Sequence, residues 1–391
     1  MPLVRARAED LPTLTIGVLG DESGPYQDIS GPVAVACVAQ AIEDFDPASK
    51  GFRVSTVTGD HQNKADVGLN IARRWYDDGV DMIVDVPNSA VALAVSSLTR
   101  ERNRVFVDST AATADLTGAQ CTPNTIHWTY DTGMLANVMC RALTHGPEDT
   151  WFFVTADYAY GHAMQRDAIR IIGESGGKVV GSVTYPFPGT SDFSSFLLNA
   201  QSSGAKYIGL ANAGADTVNS IKQASEFGMG KTGPKIIAMQ AFLPDVKAMG
   251  LTLAQGLLLT ETFYWDLNDR TRAFTKRVLG KSRGEYPCMS QAGAYAGTLH
   301  YLKAVAALGV AAGKESGAGV VAKMKAMSTD DDAFGPGRVR ADGLGLHPAH
   351  LFQVKTPAES KGEWDCYTVL VTIPPETAFN SIAAGGCALA G

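Results

Sequence analysis

A two-lobed α/β protein built on doubly wound parallel sheets is the fold class this sequence predicts. Two observations carry the prediction: a strand–loop–helix order that recurs in two separate series, and a length of 391 residues, too long for one ordinary domain. Apolar residues at 45% and charged residues at 19% suit filled globular cores and exclude a disordered chain. The net charge is −7 with no basic stripe, which sets nucleic acid aside as a partner. The longest strongly apolar helical stretch, 304–312, falls far short of the ~20 residues a membrane span needs, so a soluble mature chain is expected.

The first series opens with a hydrophobic run (Leu14, Ile16, Val18, Leu19) that meets a small, polar loop, Ser23-Gly24-Pro25-Tyr26. Gly31-Pro32 then starts a helix through Val33, Val35, Val38, Ile42 and Phe45. Strands are predicted at 13–20, 52–58, 81–86 and 104–108, with helices at 32–46, 64–78 and 89–101. Val67, Ile71 and Trp75 fall at i, i+4 and i+8 and predict one apolar stripe laid on a sheet. Met82-Ile83-Val84 is a short continuous apolar run, the pattern of a parallel strand covered on both faces.

The second series begins after Thr129-Tyr130-Asp131-Thr132. Strands at 151–155, 178–185, 207–210 and 235–239 alternate with helices at 159–175, 192–203, 214–227 and 244–249. Thr190, Ser191 and Asp192 offer N-cap oxygens to the helix at 192–203, whose expected buried face is Phe193, Phe196, Leu197 and Ala200. A strand at 256–260, helices at 269–282 and 290–311, a Gly-rich turn at 334–337 and a strand pair (350–354, 365–371) complete the reading. Late elements left over from two βα series predict lobes that the chain crosses more than once. No repeat of solenoid length is present.

Catalytic and cofactor motifs are missing from the strand-end loops. Gly228-Met229-Gly230-Lys231-Thr232 ends like a phosphate loop, but Ser225 stands where that motif needs glycine, and a helix precedes it where a strand is required. No dinucleotide G-x-G-x-x-G, G-x-S-x-G elbow or H-E-x-x-H occurs, and the seven histidines have no ligand spacing. Asp330-Asp331-Asp332 lacks calcium-loop spacing and reads as a solvated loop. No cofactor, no metal and no enzymatic activity are therefore expected.

Six cysteines form no C-x-x-C pair. Cys37 and Cys140 lie in apolar helical segments as buried small hydrophobes, whereas Cys121 and Cys387 lie in turn-rich loops where disulfide geometry is easily reached. Cys121–Cys387 is the favoured pair and Cys366–Cys387 the competitor. Ala6-Arg7-Ala8 fits the small-x-small pattern of a signal-peptidase site without a preceding apolar region. The start is expected to lie inside a longer export signal, the alternative being an unstructured tail.

What fills the strand-end loops instead is small hydroxyl, amide and aromatic chemistry. Asn88-Ser89 follows the third strand, Ser109 to Thr113 the fourth, Tyr158 to Gly161 the first of the second series, and Asn212 to Asp216 its third. A helix N-terminus with a serine hydroxyl and free N–H groups holds a carboxylate well. Such residues also cap helices everywhere. Their recurrence at one topological position in both series is what predicts a ligand cleft.

Ile16-Gly17 through Ser23-Gly24-Pro25, Ala111-Ala112-Thr113 with Leu116-Thr117, Asp157 through Tyr160-Gly161, Thr190 through Ser194, Gln255-Gly256-Leu257 and Phe334-Gly335, in that order, give the chain its resemblance. It resembles the solute-binding proteins of branched-chain-amino-acid-type ABC transporters, with the type I periplasmic binding fold, over about 14–379. The resemblance implies a periplasmic receptor of two lobes that close like a flytrap on a small ligand and deliver it to a membrane permease. It implies that Ser89 and Ala111 to Thr113 grip a ligand carboxylate, that Tyr26 lines the same wall, and that Tyr160 crosses from the other lobe. Asn88, Ser109 and Asn212 join them as candidates.

One departure from the family concerns the ligand. Amino-acid-binding members place an acid after the strand matching 236–239 to pair the ligand ammonium; here the loop reads Gln240-Ala241-Phe242-Leu243. Either Asp216 replaces that acid or the ligand carries no amine, and Gln240 and Phe242 then face a neutral oxygen and an apolar or aromatic body. The expected lobes are 13–129 plus 266–340 and 130–262 plus 347–380, with terminal tails at 1–12 and 381–391. Hinges are expected near Tyr130, Phe263 to Asp266, and Arg340 to His347. A ligand-binding sensor module of the same fold is the alternative to an importer receptor.

Overall fold

The computed structural model describes residues 11–230 and 233–390; Ala6-Arg7-Ala8 and Lys231-Thr232 lie outside the described residues. The first sheet holds β1 (Thr13–Gly20), β2 (Arg53–Asp60), β3 (Met82–Asp85), β4 (Val105–Asp108) and β5 (Thr125–His127) in the order β2-β1-β3-β4-β5, all parallel. Helices α1 (Gly31–Phe45), α2 (Ala65–Asp77) and α3 (Ser89–Glu101) connect its strands. Every predicted element is present within two residues. The extra strand, β5, is three residues long and carries too little periodicity to be seen in sequence.

The buried face of α2 is rotated from the predicted stripe: Gly68, Ala72, Trp75 and Tyr76 are buried, while Val67 and Ile71 are only half-buried. The Trp75 indole explains the shift, because it lies against the sheet where a Cβ on Gly17 would come within 2.5 Å of the ring and one on Gly59 within 2.9 Å. Glycine inside two neighbouring strands is thus a seat for the indole.

Helix α4 (Thr132–Leu143) leads into the second sheet, β6 (Thr150–Ala156), β7 (Lys178–Tyr185), β8 (Tyr207–Ala211) and β9 (Lys235–Ala238), again parallel and in the order β7-β6-β8-β9. Its helices are α5 (Ala159–Glu174), α6 (Ser194–Ser202) and α7 (Ala215–Glu226). The capping expected of Thr190, Ser191 and Asp192 is corrected. Helix α6 starts at Ser194, only the Asp192 carboxylate takes a helical N–H (Ser194, 2.9 Å), and Thr190 instead donates its hydroxyl to the Pro186 carbonyl. Phe193, Leu197 and Ala200 are buried as expected, and Phe196 is half-buried.

Next come α8 (Leu243–Met249), α9 (Leu251–Ala254), β10 (Leu258–Glu261), α10 (Asp269–Leu279), α11 (Met289–Leu308), α12 (Val310–Glu315) and α13 (Gly317–Ala326). The helix predicted at 290–311 is broken at Gly309, whose φ of +87° ends α11. Helix α11 is apolar all round and buried through most of its length against α1, β3 and β4. Short strands β11 (Ser328–Thr329), β12 (Gly337–Val339) and β13 (Gly345–Leu346) form a small sheet. Strands β14 (Ala349–Val354) and β15 (Tyr367–Ile373) extend β10 into an antiparallel sheet, β10-β14-β15. In the 330–332 run, expected as a solvated loop, Asp331 is buried, while Arg270 holds the exposed Asp330 at 2.8 Å and the half-buried Asp332 at 2.9 Å. Cys121 and Cys387 form a disulfide, while Cys366 is free and buried. No helix among the described residues is long and apolar enough to cross a membrane.

Candidate ligand site

Both parallel sheets reverse strand order once, the first between β1 and β3 and the second between β6 and β8. Ligands of open α/β sheets bind outside the carboxyl ends of the strands at such points. The candidate loops sit there in both sheets.

On the first wall, the Asp21 carboxylate accepts the N–H groups of Gly24 and Tyr26, each at 2.8 Å, and folds the loop after β1 so that Tyr26 is buried. The loop after β3 is strained: Asp85 and Val86 have φ of +85° and +61°, the latter an outlier for a β-branched residue. The chain turns there into α3, capped by Asn88, whose side-chain oxygen accepts the N–H groups of Ala90 (2.9 Å) and Val91 (3.2 Å). Asn88 is therefore committed to its helix. Ser89 follows inside the first turn; its Oγ accepts the Thr113 N–H at 3.3 Å, leaving its own proton to donate.

The loop after β4 is held from below. The Asp108 carboxylate accepts the Ala111 N–H (3.1 Å), the Thr110 hydroxyl donates to Asp85 (2.5 Å), and His127 Nε2 bonds the Ala111 carbonyl (2.7 Å). Burial pushes the Asp85 carboxyl up to about 7 against the hydrogen bonds of Ser30 and Thr110, and lowers His127 to about 4, so the imidazole is neutral. The Ser109 hydroxyl lies 3.2 Å from that of Thr110, and the Thr113 hydroxyl caps the Asp115 N–H at 3.3 Å.

On the second wall, Tyr160 donates its hydroxyl to the Asn212 carbonyl at 3.3 Å. The Asn212 amide is turned into α7, donating to Ser220 (3.1 Å) and accepting from Thr217 (2.7 Å). Asp216 accepts the Tyr185 hydroxyl at 2.8 Å, and burial pushes its carboxyl up to about 6. Asp245 caps α8 through the Phe242 N–H at 2.8 Å. The Gln240 amide donates to the Tyr130 hydroxyl at 3.2 Å, while its buried Oε1 has no hydrogen-bond partner. Phe242 meets Tyr130 edge-on, ring centroids 5.3 Å apart.

The two walls touch. The Tyr26 and Tyr158 hydroxyls are hydrogen-bonded, and the Pro25 carbonyl accepts the Ala215 N–H at 3.0 Å. Phe187 stacks on Tyr158 at 4.3 Å and on Tyr26 at 5.6 Å. Tyr130, expected as a hinge, bridges the walls by donating to the Thr110 carbonyl at 2.5 Å while accepting from Gln240. Of the predicted residues, Tyr26, Tyr160, Asp216, Gln240 and Phe242 meet in this closed seam, and Ser89, Ala111 and Thr113 form one patch opposite. The side chains of Asn88 and Asn212 are turned away. Tyr158 lies in a loop that the sequence singles out, though only its neighbour Tyr160 is expected to line the cleft; Tyr185 and Phe187 are not expected there, and the sequence signal for Phe187 is its place between turn prolines, Pro186-Phe187-Pro188.

A periplasmic binding protein from Burkholderia mallei is 41% identical over 96% of this chain and 99% of that one, with a TM-score of 0.91. A branched chain amino acid ABC transporter periplasmic ligand-binding protein from Burkholderia xenovorans LB400 is 39% identical over 97% of this chain and 100% of that one, with a TM-score of 0.83. A Leu/Ile/Val-binding protein homolog from Brucella melitensis is 27% identical over 63% of this chain and 67% of its own length. The profile of the periplasmic binding protein family matches residues 13–363, and the chain belongs to that family.

Proposed function

We propose that this chain is the extracytoplasmic receptor of an ABC importer, and that its cleft takes a small carboxylate carrying no amine. The two lobes, 13–129 plus 266–340 and 130–262 plus 347–380, rotate about the three crossovers to close on it. The Ser89 hydroxyl and the start of α3 grip the carboxylate, and Phe242 and the tyrosines cover its apolar body.

The observation that carries the ligand class is the state of the acids on the second wall. Asp245 is used by its helix cap and Asp216 by Tyr185, and the Gln240 loop offers a neutral amide with an unpartnered acceptor. An ammonium buried without a partner costs several kcal/mol. An amino-acid ligand is the second reading, favoured by Asp216, a buried acid with no basic partner within ion-pair distance among the described residues. A thermal-shift panel of amino acids, aromatic acids and aliphatic carboxylates and amides tests both, since a ligand of the folded state raises the melting temperature by linkage. Stabilisation by amine-free carboxylates supports the proposal; stabilisation by amino acids alone refutes its ligand class.

A further inference from the structure

The Cys121–Cys387 disulfide joins residues 266 positions apart and adds a covalent connection to the three crossovers. Cys121 lies in the loop before β5, the edge strand of the first sheet, and the Gln120 N–H closes that loop by donating to the Asp115 carbonyl at 3.0 Å. Cys387 follows a segment anchored on the other lobe. After β15, α14 (Pro375–Ala378) docks on α4, where Asn137 donates to the Thr377 and Ala378 carbonyls at 2.9 and 3.0 Å. Asn380 is held next: its side chain accepts from Arg170 of α5 at 2.8 Å, and its carbonyl accepts from Arg340 at 2.7 Å. Past Asn380 the anchoring stops. Residue 381 and residues 383–386 are exposed, α15 (Ile382–Gly385) buries none of its residues, and among the described residues no hydrogen bond ties 381–387 to either lobe.

Two ion pairs cross between the lobes on the same flank, Arg166 to Asp115 at 3.1 Å and Arg338 to Glu376 at 3.2 Å. Each of the four side chains is at least 30% exposed, and exposed pairs resist separation only weakly. The segment 381–387 is different in kind, because it is covalent at both ends. Drawn straight, the chain from Asn380 to Cys387 reaches about 25 Å at most. In the structure α15 takes up part of that length, at ~1.5 Å per helical residue. Rotation of the lobes apart first uncoils this turn and then meets a covalent stop. On the two-lobe reading of the proposed function, we infer that the disulfide-closed segment 381–387 is a check strap: it bears no load in the closed form and sets how far the cleft opens. By narrowing the open ensemble, it cuts the conformational entropy that closure on a ligand must give up.

Single-molecule energy transfer on the ligand-free chain tests this. The dyes are carried by unnatural residues at exposed Glu22 and Ser191, in the loops after β1 and β7, so no cysteine is added. The double variant Cys121→Ser, Cys387→Ser should populate interlobe distances longer than any the parent reaches. A chain that keeps the disulfide but carries about six extra Gly and Ser residues between Gly385 and Gly386 should do the same, since the insertion adds up to about 20 Å of reach. The lengthened form separates strap length from the stability the disulfide confers, and it carries the test where the double variant fails to fold. Parent distances that vary, with an upper limit unchanged in the lengthened chain, overturn the check strap alone. One narrow distance shared by all the forms overturns it together with the hinged reading on which it rests.

Discussion

The Pro25 carbonyl accepts the Ala215 N–H at 3.0 Å, tying the loop after β1 to the first turn of α7 across the cleft. Gly214 makes the approach possible: its φ is +58°, and a Cβ there would lie 2.3 Å from the Pro25 oxygen. Gly214→Ala is expected to cost about 1–3 kcal/mol of backbone strain and to prop the cleft open. Small-angle scattering checks the second effect. The parent contracts on saturation with ligand and the variant contracts less; equal contraction removes the role given to this contact.

Ser89 and Asn88 are neighbours with separable roles. Because Asn88 holds the cap, Asn88→Ala should cost about 1 kcal/mol of stability. Ser89→Ala also removes the acceptor of the buried Thr113 N–H and should cost about 1–3 kcal/mol of stability, but it alone should weaken a carboxylate ligand, by about 1.5–3 kcal/mol, the range for a hydrogen bond to a charged group. Scanning calorimetry and titration calorimetry on both variants separate the two effects.

Gly17 is a packing requirement. An alanine methyl there would press into the Trp75 indole, which is itself buried, and overpacking of this kind costs about 1–3 kcal/mol. Chemical denaturation of Gly17→Ala measures it, and Trp75→Leu in the same background should recover part of the loss.

His347 is buried and donates its Nε2–H to the Trp128 carbonyl at 2.8 Å; burial lowers it to about 4. Between that value and the ~6.5 of an unfolded histidine, the unfolded chain binds the extra proton, so this residue makes stability rise with pH and its contribution is flat above ~6.5. Buried acids such as Asp85, raised to about 7, act in the opposite direction. The histidine is isolated by difference: His347→Gln should flatten the rise across that window by up to about 1.4 kcal/mol per pH unit. An unchanged slope contradicts the assignment.

The βα alternation was legible because parallel strands are short apolar runs and their helices carry apolar residues at helical spacing, as Met82-Ile83-Val84 shows for a strand; on α2 the helix was legible but its buried face was not, since the Trp75 indole turns Gly68 and Ala72 to the sheet instead of Val67 and Ile71. Small strands such as β5 and β11 to β13 were not, since two or three residues carry no period. At the site, the loops were legible and the side-chain directions were not. Asn212 has the place of a ligand amide, but Thr217 and Ser220 on α7, the helix that follows its loop, claim it. Asp216 is claimed by Tyr185, 31 residues earlier, and Phe187 reaches Tyr26 only through the tertiary fold.

Titration calorimetry of leucine, valine and their amine-free carboxylate analogues, on the parent chain and on Gln240→Ala and Asp216→Asn, tests the ligand class most directly. The account predicts that an amine-free carboxylate binds more tightly than leucine, and that Gln240→Ala weakens it while Asp216→Asn does not. Submicromolar binding of leucine or valine, abolished by Asp216→Asn and untouched by Gln240→Ala, would contradict it.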